Sequence, residues 1–370
     1  MTPTSSASSA GRRIGPASLR RLIGELFRRG GSAGPEADLV ASHLVDANLA
    51  GHDSHGVGMV PTYVRHLRAG LVVPNTSAKL TRDGGALLMF DGQRGYGRRV
   101  AEDAMTVAIA RCRTTGVVAV TLANAHHIGR VGAYGELAIA AGLVSLHFVN
   151  VTDHQGRVAP FRGSDARFST NPVCIAIPGT AARPPLLLDM ATSEIAMGKV
   201  RVARNAGRAV PDGALVDAQG HPTTDPNVMY QEPSGALLAF GRHKGYGLAV
   251  VAELLAGGLS GGGTLQPGNV RHGGVINNMF AVLVDPEQLA GAEWLGREFD
   301  GFVSYVKASP PTDPSAPVLV PGDPERWTRE ERGRTGIPID ATTWTEILEA
   351  GEQVGLARTE AEALAGRDTA

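Results

Sequence analysis

Apolar residues recur at helical spacing across residues 17–50. Leu19, Leu22, Ile23 and Leu26, then Leu39, Val40, Leu44 and Ala47, flank the break Gly30-Gly31-Ser32-Ala33-Gly34-Pro35. The spacing predicts a helical hairpin. A further helical stretch over 60–71 stops at Gly70 with Pro74 beyond it, the usual order of C-terminal signals. Between 86 and 185 the period changes. Short β-branched runs at 117–122, 144–151 and 173–177 interleave with helical runs at 100–111 and 134–141, which predicts an α/β sheet domain. After Lys199 the breakers Pro211-Asp212-Gly213 and Asp217-Ala218-Gln219-Gly220-His221-Pro222 predict loops in a smaller subdomain. Residues 244–259 read as helix and 276–284 as an apolar strand. The tail from Trp327 is charged and helical, and its stripe Ile347, Ala350, Val354 and Leu356 is expected to pack on the N-terminal helices.

Between these elements lies an abrupt change of character. Leu186-Leu187-Leu188-Asp189-Met190 is an apolar run that breaks into Ala191-Thr192-Ser193 before a helical pattern resumes. A buried strand feeding a helix start would gather backbone N–H groups, two hydroxyls and one carboxylate at one mouth, a setting suited to a nucleotide. The plainer alternative is a core strand whose Thr192 and Ser193 cap the next helix. Titratable groups stand elsewhere in two clusters, His52-Asp53-Ser54-His55-Gly56 and His126-His127-Ile128-Gly129-Arg130. A cofactor cradle together with proton-transfer groups points to a redox enzyme.

Composition narrows the setting. The chain has 370 residues, enough for two or three domains, and its 43% hydrophobic and 19% charged residues are ordinary for a packed globular enzyme. With 35 Lys and Arg against 36 Asp and Glu there is no net field to draw nucleic acid or an anionic membrane, and no apolar run reaches membrane-span length. Cys112 and Cys174 lie apart without metal spacing, which supports neither a disulfide framework nor a thiolate zinc site and fits a reducing cytoplasm. Residues 1–10 are rich in Ser and Thr with no apolar core, so a frayed tail is expected rather than a signal peptide.

The familiar nucleotide signatures are missing. Gly95-Tyr96-Gly97 lacks the third glycine of the dinucleotide fingerprint, and Gly129, Gly132 and Gly135 have the wrong spacing, which argues against a Rossmann domain. Ser260-Gly261-Gly262-Gly263-Thr264 lacks the Gly-Lys-Ser/Thr ending of a P-loop and reads as a flexible connector. His52, His55 and the pair His126-His127 could ligate a metal, but no carboxylate follows at helical spacing, so no metal site is expected. His55 could be a structural loop histidine. Its neighbours favour chemistry, because Asp53 and Ser54 could orient the imidazole and Gly56 keeps the loop open to a ligand. His127 stands just after a predicted strand, beside Gly129 and Arg130, where catalytic and phosphate-binding groups collect. Lys244, in His243-Lys244-Gly245-Tyr246-Gly247, could pair with a phosphate, although taken alone it reads as a solvated lysine.

These segments, in this order, resemble the malate/L-lactate dehydrogenase family, which stands apart from Rossmann dehydrogenases. The resemblance runs through Asp53-Ser54-His55-Gly56-Val57, Asn124-Ala125-His126-His127-Ile128-Gly129, Thr170-Asn171-Pro172, Asp189-Met190-Ala191-Thr192-Ser193, Pro222-Thr223-Thr224-Asp225-Pro226, His243-Lys244-Gly245-Tyr246-Gly247, Pro321-Gly322-Asp323 and Gly336-Ile337-Pro338. It implies an α/β (α+β) chain with a largely antiparallel, mixed, non-Rossmann nucleotide-binding sheet (86–200 and 274–317), a helical domain from both termini (11–85 and 318–370), and a small third domain (201–273). It also implies a homodimer using NAD or NADP. Carried over residue by residue, it makes His55 or His127 the acid/base and places Ser54, Met59 and Tyr63 toward the substrate. It assigns cofactor contacts to Gly129, Arg130, Asn171, Leu188, Asp189, Met190, Ala191, Thr192, Ser193, His243, Lys244, Gly245, Pro321, Gly322 and Asp323.

Two departures from the family pattern stand out, the first bearing on the substrate and the second on the backbone before Thr170. Relatives often carry arginine where this chain has Met59, and glycine where it has Ser169. Without that arginine a small dicarboxylate fits less well, and an apolar, polarizable side chain suits a bulkier or aromatic 2-oxo acid such as phenylpyruvate, its carboxylate held by a backbone group or Arg65. The expected activity is NAD(P)-dependent interconversion of 2-oxo and 2-hydroxy acids. Reduction of cyclic or N-substituted 2-imino acids is the alternative of the same class, and a metal-dependent hydrolase using His52, His55 and His127 the alternative of another.

Overall fold

The computed structural model describes residues 11–205 and 207–366, so the tail expected over residues 1–10 lies outside the described residues. The chain divides into two compact units, Met1–Gly70 with Pro324–Ala370, and Leu71–Asp323.

The first unit is helical and joins both ends of the chain. Helices Pro16–Arg29 and Gly34–Leu49 each carry proline in the first turn, where its missing N–H has no helical partner to lose. The predicted stripes Leu19, Leu22, Ile23 and Leu26, and Val40, Leu44 and Ala47, are buried. Strand Arg12–Ile14 pairs antiparallel with Ile337–Ile339, tying the N-terminus to the segment that precedes helices Ala341–Gln353 and Arg358–Ala365. Ile347, Ala350 and Leu356 are buried as expected, while Val354, at a helix end, is half-buried.

The second unit holds a seven-stranded sheet in the order Lys79–Asp83, Leu87–Asp91, Val117–His126, Ile276–Val284, Val144–Thr152, Val173–Ile177, Leu186–Met190. Only the pairing of Leu87–Asp91 with Val117–His126 is parallel; the other five described pairings are antiparallel. Helices Gly97–Thr115 and Gly132–Ala140 supply apolar residues to the core on one face, where Val118, Val120, Leu122, Met279, Ala281 and Leu283 are fully buried. The sheet is therefore mixed and not doubly wound.

Four expectations need correction. Val117–His126 runs four residues past the predicted end, because Ala125 and His126 go on pairing with Asn277 and Ile276 beyond a bulge. Its left-handed residue Asn124 (φ 55°) donates its backbone N–H to Asn278 Oδ1 at 3.1 Å. Leu186–Met190 is an edge strand and only partly buried, and the following helix begins at Met197, so Thr192 and Ser193 cap nothing. The turn-rich region contains a three-stranded sheet, Ala236–Leu237, Leu215–Val216 and Pro222–Thr223, over a small core with Val158, Phe168, Val200 and Met229. Strands of two residues leave no periodic signal. Finally, residues 260–264 are a packed turn. A Cβ on Gly262 would lie 1.9 Å from Asn278 Oδ1, so the glycine is required by close approach.

Among the described residues no helix is long and apolar enough to cross a membrane.

Candidate active site

His55 ends the short 3-10 turn Asp53–His55, which leads through a second turn, Val57–Met59, into helix Val60–Arg68. Ser54, His55 and Met59 are half-buried. Asp53, expected to orient the imidazole, has its carboxylate engaged elsewhere: Arg332 donates to both oxygens, at 2.6 and 3.0 Å, and Asn48 Nδ2 donates at 2.6 Å. Gly56 has ordinary extended backbone (φ −87°), and a Cβ there would lie 2.2 Å from Asn48 Oδ1. Packing against Asn48, rather than ligand approach, accounts for this glycine. His52 Nε2 stands 3.4 Å from Glu325 Oε1. Tyr63 is buried with its ring 6.1 Å from that of Phe27. Arg65 is exposed and donates to Thr62 Oγ1 at 3.2 Å.

In the second unit His127 immediately follows the strand that ends at His126, and both histidines are buried. His126 meets the ring of Tyr96 edge-on, with 6.1 Å between centroids. A Cβ on Gly97 would fall 2.1 Å from the carbonyl oxygen of His126 and 2.4 Å from that of His127. The Gly95-Tyr96-Gly97 segment thus serves helix-to-backbone packing. The two peptides that flank Ile128 are both fixed: Ile128 donates its N–H to Asn277 Oδ1 at 2.9 Å, and its carbonyl accepts from Tyr134 Oη at 2.6 Å. Burial pushes the Tyr134 phenol up, which keeps it a donor.

Behind this loop lies a buried polar network that sequence reading missed. Asn277 Nδ2 donates to the Asn150 carbonyl at 3.0 Å, and Asn278 Nδ2 donates to Asn150 Oδ1 at 3.0 Å. Asn150 Nδ2 donates to Glu253 Oε1 at 3.1 Å and to the Gly263 carbonyl at 3.0 Å. Glu253 also accepts from Leu265 N at 2.8 Å and, on Oε2, from Asn171 Nδ2 at 2.7 Å. Helix His243–Glu253 passes at Glu253 into the π-helical turn Leu254–Gly258. The one signal available in the sequence was Asn277-Asn278 at the head of an apolar strand, where two adjacent amides fit neither face of a core.

The strand-end cluster is assembled around a buried cation. Arg130, its side chain 1% exposed, lies 2.6 Å from Glu136 and 3.7 Å from Asp189. Burial opposes the Arg130 charge, but Glu136 and Asp189 more than offset this and raise its pKa. Asp189 Oδ2 also accepts from Gly132 N at 2.8 Å. Gly129 follows with left-handed backbone (φ 72°). Leu188, Met190 and Ala191 are half-buried. The two expected hydroxyls are buried and engaged locally, Thr192 Oγ1 donating to the Thr170 carbonyl at 2.9 Å and Ser193 Oγ to that of Ile195 at 2.8 Å. Pro321 offers its carbonyl to Leu187 N on the edge strand at 3.4 Å, Gly322 is left-handed (φ 95°), and Asp323 holds Lys307 at 2.8 Å.

Two observations fit an anionic nucleotide in this unit. Arg242, His243 and Lys244 are exposed at the N-terminus of helix His243–Glu253, and Lys244 has no ion-pair partner among the described residues. Cations at that end oppose the helix dipole unless an anion joins them. Gly245 makes the turn possible, since a Cβ there would lie 2.2 Å from the Phe240 carbonyl oxygen. Asn171 is buried with φ 29°, and its Oδ1 meets no donor among the described residues. Among the described residues no group of three or more His, Cys, Asp or Glu side chains is arranged to hold a metal ion.

Residues 14–348 match the family model for malate/L-lactate dehydrogenase. The chain is 46% identical to hydroxycarboxylate dehydrogenase B of Escherichia coli strain K12, over 94% of this chain and 96% of that protein. It is 43% identical to an L-lactate dehydrogenase of Cupriavidus necator, over 93% and 99% of the two chains. The solved sulfolactate dehydrogenase of Methanocaldococcus jannaschii superposes with a TM-score of 0.82 at 31% identity, covering 94% of this chain and 99% of that one.

Proposed function

The chain belongs to the malate/L-lactate dehydrogenase family, and from that premise we propose that it interconverts 2-oxo and 2-hydroxy acids with NAD or NADP, as a cytoplasmic homodimer. The observation that carries this reading is a pair of histidine loops fixed by buried amides, the His55 loop held by Asn48 at Val57 N and the His127 loop held by Asn277 at Ile128 N. They occur in a chain whose relatives are hydroxycarboxylate and lactate dehydrogenases over more than nine-tenths of its length.

When bound, the nicotinamide supplies the hydride that reduces the substrate carbonyl, or takes it up in the reverse direction. Lys244, the N-terminus of its helix, Asn171 and the strand end from Leu188 to Ser193 would hold the cofactor. The chain's own chemistry is proton transfer. An oxygen becoming an alkoxide needs a proton, and an imidazole, His55 or His127, donates it and recovers it from solvent. In the oxidative direction the same group is the base. The half-buried Met59 supports a bulky or aromatic side chain on the substrate.

The test is oxidation of NADH and NADPH by purified, metal-stripped protein against acids from pyruvate and 2-oxoglutarate to phenylpyruvate, with cyclic imino acids alongside, and with His55→Ala and His127→Ala in parallel. Turnover that persists without metal and collapses in one variant supports the reading and chooses the acid. Activity on imino acids alone would reassign the substrate class, and activity dependent on added metal would overturn the mechanism. Light scattering after size exclusion checks the dimer.

A further inference from the structure

The loop that carries His55 is held at two points by one side chain. Asn48, 3% exposed near the end of helix Gly34–Leu49, donates through Nδ2 to Asp53 Oδ1 at 2.6 Å and accepts through Oδ1 from Val57 N at 2.8 Å. Residues 53 and 57 lie two positions before and two after His55. Both ends of a single amide are therefore engaged in spanning the histidine. Arg332, on helix Asp323–Thr335, closes the arrangement. It donates to both Asp53 oxygens and, at 2.5 Å, to the main-chain carbonyl of Asn48. Gly56 leaves the space, because any Cβ would enter the Asn48 amide, 2.2 to 2.4 Å from its three end atoms.

We propose that Asn48, locked by Arg332, is a positioning residue for His55: it fixes the turn at residues 53 and 57 so that the imidazole is presented in one orientation. The inference rests on the reading of His55 as a proton-transfer group. The physical ground is that the turn alone is weakly held. Its internal hydrogen bonds, His55 N to the His52 carbonyl at 2.9 Å and Gly56 N to that of Asp53 at 3.2 Å, span three residues each and would not by themselves select one conformation. A neutral amide accepts a main-chain N–H through its oxygen and donates to a carboxylate through its nitrogen, two atoms set apart by the planar group, so one side chain reaches both residues. The Asp53–Arg332 pair is partly exposed, with Asp53 52% and Arg332 15% accessible, so its contribution is geometric more than energetic.

The experiment uses the full chain with Asn48→Ala, Asn48→Asp, Gly56→Ala and the exchange Asn48→Asp with Asp53→Asn, set beside His55→Ala and the double variant Asn48→Ala with His55→Ala. Hydrogen exchange reads the loop directly. In Asn48→Ala the amides of residues 55–59 should exchange at least about tenfold faster, while those of the helix Pro16–Arg29 stay as they are. Turnover should fall by about 100-fold with KM changed by less than about threefold, since misplacement by about an ångström has that effect on the chemical step. Asn48→Asp sets two carboxylates against each other and should behave like alanine. The exchange variant restores one amide donor and one carboxylate acceptor across the same pair but turns that NH2 toward Arg332, so it should recover part of the loss. In the His55→Ala background Asn48→Ala should cost nothing further.

Unchanged exchange at residues 55–59 would overturn the clamp itself. Faster exchange with undiminished turnover, or an undiminished penalty in the His55→Ala background, would overturn its positioning role. Full activity of His55→Ala would instead remove the assignment of His55 and the positioning role with it. Gly56→Ala, which pushes on the same amide without deleting it, should reproduce the kinetic split if Asn48→Ala fails to fold.

Discussion

Asn277 Oδ1 accepts the backbone N–H of Ile128, the residue after His127, at 2.9 Å. The side chain that begins the central strand thus fixes the direction in which the His127 loop leaves the neighbouring strand. Asn277→Leu would strand a buried N–H and should destabilise the chain by about 1–3 kcal/mol in urea titration. Its turnover should fall more than its substrate KM rises. An equal loss in both would assign Asn277 to substrate binding instead.

Glu253 takes three donors, from Asn150, Leu265 and Asn171, with two carboxylate oxygens. Glu253→Gln replaces one acceptor with an NH2 facing donors and is expected to cost about 1–3 kcal/mol despite its equal size. Denaturant unfolding of the two chains side by side measures this, and a neutral outcome would mean that the network rearranges around the amide.

Arg130 stands between Asp189, its side chain 6% exposed, and Glu136, 41% exposed. Arg130→Met removes the guanidinium that faces the buried Asp189 carboxylate, so the loss should be about 3–5 kcal/mol, most of it traceable to Asp189. Adding Asp189→Asn to Arg130→Met should recover part of it. If thermal unfolding shows no such recovery, the cost lies in packing.

His147 is fully buried in the sheet with Nε2 2.9 Å from Ser145 Oγ, and burial lowers its pKa from 6.5 to about 4. The unfolded chain takes up a proton near 6.5 that the folded chain refuses until about 4. Stability is therefore full above the higher value and declines as pH falls between the two, by about 3 kcal/mol in all. His147→Gln should flatten that part of the stability profile, and an unaltered slope would assign it to other groups.

Met59→Arg tests the reading of the substrate side chain. A guanidinium at this half-buried position should move selectivity toward smaller, more polar 2-oxo acids, by about tenfold or more in relative kcat/KM, since it offers a bidentate partner for a second carboxylate. Unchanged ratios of phenylpyruvate to oxaloacetate would detach Met59 from specificity.

Much of the architecture was legible in local pattern. The stripe from Leu19 to Leu26 and the run over 276–284 were readable because burial of one helix face or a whole strand dictates composition along a few consecutive residues. The order of the short motifs, none decisive alone, likewise pointed to the family. Glycines were visible but their reasons were not: Gly97 against the His126 carbonyl, Gly56 against Asn48 and Gly262 against Asn278 each answer to an atom distant in the sequence or packed in from the side.

Long-range pairing lay beyond local pattern altogether. Nothing near Asp53 announces Arg332, and nothing near Asn150 announces Glu253. Local pattern was enough for most helices, the main strands, the family and the candidate histidines, though not for the helix Ala292–Lys307, because periodicity and motif spacing are properties of neighbouring residues. Which amides and ion pairs hold the histidine loops in place was set by the fold. A polar side chain inside a protein takes its partner from whatever element the fold brings within about 3 Å, whatever the distance along the chain.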